Sequence, residues 1–208
     1  MTKLVNQFTI ILLLVFATSA WAEQSKTAVF TEGKDYKLVK PAQQTTDPDK
    51  IEVIEFFWYG CPHCYTFEPA LSKWLKNKPD NVQFIRQPAI FGKRWAPHAK
   101  AYFTAEVMGV VDKIHVDLFD AIQNKKQALQ TEDDLAKFFA ERGIDEKEFR
   151  KNFNSFFVDT KMRQAGAMGA RYGLTGVPAV VINGKYQTGG SIPVVSYLVM
   201  KESLEKKQ

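Results

Sequence analysis

The spacing of apolar residues along this chain changes several times, and each change predicts a different kind of element. Residues 10–17 (IILLLVFA) are unbroken apolar positions, preceded by Lys3 and followed by Ala20-Trp21-Ala22. A basic start, a short apolar core and an Ala-x-Ala end make a secretory signal peptide over 1–22, cleaved near Ala22–Glu23. The run is too short to span a bilayer, and nothing later approaches about 18 consecutive apolar residues, so the mature chain is expected to be soluble. Residues 23–49 are polar, with Pro41 and Pro48, and read as an arm with one short strand near Tyr36–Val39. Ile51 to Trp58 (IEVIEFFW) is β-branched, aromatic and nearly continuous, interrupted only by Glu52 and Glu55. That pattern predicts a strand buried on both faces.

After a turn at Tyr59-Gly60 the period becomes helical. Phe67, Ala70, Leu71, Trp74 and Leu75 fall on one stripe, with Pro69 expected to kink the helix. Val82 to Arg86 alternates like a short strand. From Phe91 to Gly173 helical periods take over: Pro97–Met108, Asp112–Asn124, Glu132–Arg142 capped by Thr131, a helix capped by Asp145, and Val158–Tyr172. Phe138, Phe139, Phe149, Phe153, Phe156 and Phe157 read as mostly core by spacing, and His98 and His115 as ordinary surface or capping residues. Strand character returns at Pro178–Ile182 and Lys185–Gln187, joined by Asn183-Gly184, a strong hairpin signal. A closing helix covers Ile192–Glu205. The order is strand, helix, strand, helical block, hairpin, helix, without internal repeats.

Composition narrows the class. The chain has 208 residues, 45% hydrophobic and 25% charged, which excludes intrinsic disorder and allows a sizeable core. The net charge of +5 is spread along the chain, with no arginine-rich stripe, so nucleic acid is not an expected partner. Two cysteines exclude a disulfide-rich scaffold and a four-thiolate zinc site. They lie together in Cys61-Pro62-His63-Cys64. In an exported protein such a pair is oxidised at least part of the time. A disulfide closing so small a loop constrains the unfolded chain very little, so it makes a poor staple and a good reagent.

The helix that opens at these cysteines makes them unequal. Cys61, in the first turn, faces unpaired N–H groups and the positive end of the helix dipole, and Pro62 suits that turn. Cys61 is therefore the expected low-pKa nucleophile, Cys64 its shielded resolving partner, and His63 a nearby positive charge or donor. Stabilising the thiolate stabilises the reduced form and makes the disulfide more oxidising. Haem attachment needs a histidine after the second cysteine, where Tyr65 stands. A zinc site lacks further ligands with suitable spacing, and Cu(I) delivery would use two thiolates with a third ligand that is not identifiable. No metal and no organic cofactor is expected.

Strand–Trp58-Tyr59-Gly60-Cys61-Pro62-His63-Cys64-Tyr65–helix resembles the DsbA family of periplasmic thiol:disulfide oxidoreductases, over essentially all of the mature chain. The resemblance implies an α/β thioredoxin fold with an all-helical domain inserted between the second and third core strands. It divides the chain into a thioredoxin-like domain, 23–90 plus 174–208, and an inserted domain, 91–173. It implies a dithiol oxidase acting on reduced, newly exported proteins and recharged by a DsbB-type membrane reoxidase that passes electrons to quinone; a monomer is expected. Gly176-Val177-Pro178-Ala179 looks like the family's cis-proline loop, which would leave the Val177 backbone free to pair with substrate. Without the resemblance, an ordinary trans proline opening a strand is the expectation.

Glu55 carries two compatible readings. A carboxylate inside a buried strand is costly unless paired or protonated, so it is either ion-paired to Arg86 on the neighbouring strand or poised as a proton acceptor for Cys64. The family resemblance favours the second. Glu68, one turn beyond Cys64, joins the same network more weakly. One departure stands out: Gln187-Thr188-Gly189-Gly190-Ser191 leads straight into the last helix, where well-known family members carry a longer connection that shapes their docking groove. Other readings of the same fold are a reductase or isomerase, although no dimerisation module fits before Ile51, and a non-catalytic chaperone or metallochaperone.

Overall fold

The computed structural model describes residues 29–206; the expected signal peptide lies outside them. A five-stranded mixed sheet has the order β1-β5-β4-β2-β3. Its strands are β1 (Lys37–Leu38), β2 (Ile51–Phe57), β3 (Val82–Pro88), β4 (Ala179–Ile182) and β5 (Tyr186–Thr188). Between them run α1 (Pro62–Leu75), α2 (Ala96–Val107), α3 (Val111–Gln123), α4 (Glu132–Ala140), α5 (Glu146–Phe153), α6 (Phe156–Arg171) and the closing α7 (Ile192–Glu205). β2 and β3 are parallel and joined through α1, whereas β4 lies antiparallel to β2 and to β5. The hairpin turn holds Asn183 at φ 50° and Gly184 at φ 65°, the backbone that the Asn-Gly pair favours. Among the described residues no helix is long and apolar enough to cross a membrane.

Every residue of β2 is buried, including Glu52 and Glu55. Alternation along the strand sends Ile51 and Val53 to the face packed by Phe67 and Leu71 of α1 and Val195 and Leu198 of α7. Ile54 and Phe56 go to the opposite face, against Val181 and Tyr172. Phe57, Tyr59, Cys61 and Cys64 pack instead with Phe119, Leu118, Phe139 and Phe149 of the helical block. The block is therefore not a separate globule: its core runs into the end of the sheet and the cysteine helix. Glu52 is satisfied by the Thr46 N–H and hydroxyl at 3.1 and 2.7 Å, which ties the arm to the sheet.

Boundaries differ from expectation where a cap or a partner strand decides them. β3 extends to Pro88 because the parallel register with β2 continues through Phe57↔Pro88. α1 runs through Pro69 without a break. α6 begins two residues early because the Ser155 hydroxyl accepts the Val158 N–H and caps it. This corrects the reading of Phe156 and Phe157 as core: they sit in the first turn, 74% and 71% exposed, while Val158 points inward. His98 and His115 are corrected in the other direction. Both are buried, His98 against Trp58 and Ala128 and His115 beneath the cysteine helix.

Phe139→Ala, at a fully buried position, is expected to lower the unfolding free energy by about 3–5 kcal/mol. Phe156→Ala is expected to change it by no more than about 0.5 kcal/mol. Urea unfolding of both variants checks the inward and outward assignments together.

Candidate active site

The buried strand β2 ends in the turn Trp58–Gly60, where the Cys61 N–H donates to the Trp58 carbonyl at 2.9 Å. Cys61 is the N-cap of α1, with extended backbone, and Pro62 is the first helical residue. Its sulfur takes the part usually played by a Ser or Asp oxygen, accepting the Cys64 N–H at 3.4 Å. On the other side Cys61 Sγ lies 3.3 Å from the Val177 carbonyl oxygen, to which it donates when protonated. The Val177–Pro178 peptide is cis, so this loop faces the sulfur with its backbone. Both cysteines are free thiols. Cys61 retains 8% exposure against 0% for Cys64, and Pro62 and His63 lie exposed above them.

These contacts split the two thiols. Cys61 is lowered to about 6, chiefly by a hydrogen bond from the Cys64 thiol, then by the Cys64 and His63 N–H groups and the His63 charge, against the opposing effect of burial. Cys64 is pushed up, first by the hydrogen bond it gives Cys61, then by burial and by the Cys61 and Glu55 charges. At neutral pH the reduced pair is thus a Cys61 thiolate beside a Cys64 thiol.

Beneath Cys64 the sheet register builds a charged cluster. Glu55 pairs with Arg86 across the parallel β2–β3 ladder, so both side chains leave the same face. Arg86 Nε donates to Glu55 Oε2 at 2.9 Å and Nη2 to Glu68 Oε1 at 2.8 Å. Glu68 also receives the Ser72 hydroxyl at 2.9 Å and His115 Nε2 at 3.3 Å. Glu55 Oε1 is buried without a partner. Burial raises Glu55 to about 7, opposed by Arg86 and reinforced by the Glu68 charge. Burial also works to raise Glu68, but hydrogen bonds from His115 and Ser72 and the Arg86 charge outweigh it and hold Glu68 below its ordinary range. Arg86 is held firmly protonated by its two carboxylates despite burial.

The structure thus brings Cys61, Cys64, Glu55, Glu68 and Arg86 into one cluster, with Val177 and Pro178 on its flank. Tyr59 and His115 belong to the same network and were missed from the sequence; the Tyr59 hydroxyl lies 2.8 Å from His115 Nδ1. The signal for His115 was present. It shares the i, i+3, i+4 stripe of α3 with Leu118 and Phe119, both buried. Beside the Val177–Pro178 loop a cleft of about 450 Å³ opens between Lys34, Lys37, Gly176 and Gly189. The short connection after β5 runs close over the loop: a Cβ on Gly190 would lie 2.8 Å from Pro178 and 3.1 Å from Phe67.

Residues 52–196 match the family model described as DSBA-like thioredoxin domain. The thiol:disulfide interchange protein DsbA of Pseudomonas aeruginosa is 38% identical over 187 residues, 86% of this chain and 89% of its own length. The DsbA protein of Azotobacter vinelandii is 39% identical over 196 residues, covering 90% and 92%. The crystal structure of Pseudomonas aeruginosa DsbA superposes with a TM-score of 0.82 at 38% identity, over 86% of this chain and 97% of that one. The oxidoreductase DsbA from Xylella fastidiosa gives 0.79 at 32% identity, over 86% and 99%. The likeness extends to the sheet and to the helices set between β3 and β4.

Two outcomes follow from the geometry. Ultraviolet thiolate absorbance of the reduced protein should titrate with a midpoint near pH 6, and Cys64→Ala should move that midpoint upward by removing the strongest stabilising donor. Arg86→Leu should cost about 3–5 kcal/mol in urea unfolding, because two buried carboxylates lose their cation. That loss should grow as pH rises, since the unfolded chain releases its protons more readily than the buried pair.

Proposed function

The chain belongs to the DSBA-like thioredoxin domain family, and on that premise we propose how its Cys61–Cys64 pair carries out the thiol:disulfide exchange of a dithiol oxidase. The observation that carries the reading is the inequality of the two sulfurs, one at a helix N-cap against the Val177 carbonyl and one wholly buried. In the oxidised enzyme a substrate thiolate attacks Cys61 Sγ. The Cys61–Cys64 bond breaks, a mixed disulfide forms, and Cys64 leaves with the electron pair. Glu55, held to about 7, supplies the proton that Cys64 takes up.

A second substrate thiolate then attacks the substrate sulfur of the mixed disulfide and expels Cys61. Cys61 is a good leaving group because its thiolate is stabilised. Two substrate thiols become one disulfide, and the enzyme's disulfide becomes a dithiol. Pro62 and His63 tune the Cys61 thiolate, Glu68 and Arg86 set the charge on Glu55, and Val177 offers its backbone to an extended substrate segment beside Pro178.

The substrates are reduced proteins newly delivered to the periplasm, which this chain reaches after cleavage near Ala22–Glu23. Reoxidation falls to a DsbB-type membrane protein passing electrons to quinone. Residues 23–90 and 174–208 form the thioredoxin-like domain and 91–173 the inserted one, acting as a monomer. Equilibration of Cys61/Cys64 with glutathione tests the direction of transfer. A reduction potential less negative than about −200 mV supports the oxidase, whereas one near the thioredoxin figure of about −270 mV makes the chain a reductase.

A further inference from the structure

We infer that His115 is a positioning residue for the exchange: its Nε2–H holds Glu68 as the anion of the carboxylate pair and so leaves the mobile proton on Glu55, next to Cys64. The inference rests on the reading of Glu55 as the proton partner of Cys64. Glu55 and Glu68 are buried on either side of Arg86, whose side chain keeps 13% exposure, so two potential anions surround one cation. An excess buried charge is costly, so one of the carboxyls takes up a proton more readily than an exposed one would.

The donors decide which carboxyl it is. Glu68 receives three: Arg86 Nη2, the Ser72 hydroxyl and His115 Nε2. Glu55 receives one, from Arg86 Nε, and its Oε1 has none. Hydrogen bonds given to a carboxylate favour its ionised form, so the proton settles on Glu55.

As a neutral imidazole, His115 donates at Nε2 when Nδ1 is the acceptor, and Tyr59 arranges that. Its hydroxyl lies 2.8 Å from Nδ1, and burial keeps the phenol protonated by raising it well above its ordinary range. The imidazole stacks edgewise on Phe57 and Phe119, an environment that disfavours its charged form and lowers its proton affinity. It therefore acts as a neutral, oriented donor rather than as half of an ion pair. The titratable and charged groups around it are Tyr59 before α1, Glu68 of α1, Arg86 of β3, Tyr102 of α2 and Asp112 of its own α3. Around Glu55 they are Arg86, Glu68, Tyr59, Tyr102 and Cys64. Among the described residues no other histidine, lysine or arginine pairs with either carboxylate.

The test is the pH dependence of the step in which Cys64 acts. Reduced enzyme is mixed with glutathione disulfide, and stopped flow follows release of glutathione from Cys61. In that step Cys64 Sγ attacks Cys61 Sγ, glutathione leaves as the thiolate, and the Cys64 proton passes to Glu55. The wild-type rate should rise with an inflection near pH 7, where Glu55 becomes a base. In His115→Leu the proton is shared with Glu68, so about half of the rise near pH 7 should pass to a lower-pH phase, displacing the inflection downward. His115→Gln, which keeps an N–H donor, should restore it, and Tyr59→Phe, which frees the imidazole tautomer, should lie between.

An unchanged inflection in a folded His115→Leu overturns the inference, and so do equal displacements in the Leu and Gln variants. Should the Leu variant not fold, an unchanged inflection in Tyr59→Phe overturns it in the same way. Glu55→Gln separates the role of Glu55 from that of His115. Persistence of the inflection in that variant removes Glu55 as the proton partner and the inference with it. Loss there with no displacement at His115 removes His115 alone.

Discussion

One guanidinium between two buried carboxylates is the constraint on which the active site depends. Arg86 lies half-buried between the buried Glu55 and Glu68 under the cysteine helix, and neither acid is tolerable there without it. Their meeting is a consequence of backbone geometry. The parallel register sets Glu55 directly against Arg86, and period-two alternation aims both at the face that α1 covers. Glu68 completes the set from the helix itself, one turn after Cys64. A shift of one residue in β3 would turn Arg86 to the opposite face and leave both acids without a cation. The sheet register is thus chemical information as well as structural.

Above this cluster the two thiols are separated by less than one helical turn and by opposite environments. Cys61 collects donors: the Cys64 thiol, two helix N–H groups and the His63 charge. Cys64 collects burial and negative charge. Each asymmetry reinforces the other, because the proton that Cys64 keeps is the one it offers to the Cys61 thiolate. The consequence is an oxidised state that is easily reduced: breaking the disulfide releases a thiolate already surrounded by donors.

Much of this was legible in the sequence, and the reasons are specific. Local rules place Cys61: a buried strand, a Gly turn, then Pro at the first helical position leaves little choice. Glu55 announces itself as a charge in an apolar run, and Arg86 as the only cation on the adjacent strand. The caps at Thr131 and Asp145 bond as their residue types predict. What escaped depends on tertiary placement. Phe156 and Phe157 follow an apolar spacing, yet the Ser155 cap rotates them to the outside. His115 reads as an ordinary polar residue until α3 is laid against α1 and its stripe turns inward. Tyr59 reads as a turn aromatic until the histidine is there to receive its hydroxyl.

Those escapes share an origin in the helical block, and they say what the block contributes. From α3 come His115 to Glu68, Gln123 Nε2 to the Tyr59 carbonyl at 2.7 Å, and Asn124 at its C-terminal end to the Tyr65 hydroxyl at 2.5 Å. The turn before the cysteines and the first turn after them are both held from that side. Val177 and Gly190 hold the opposite side. A helix N-cap alone would lower the Cys61 thiol, but it would not fix the charge beneath Cys64. That charge is set by donors arriving from two directions, the sheet through Arg86 and the inserted helices through His115. On this view the block is the second wall of the active site, and its continuous core with Phe57, Tyr59 and Cys64 is the reason it holds its position.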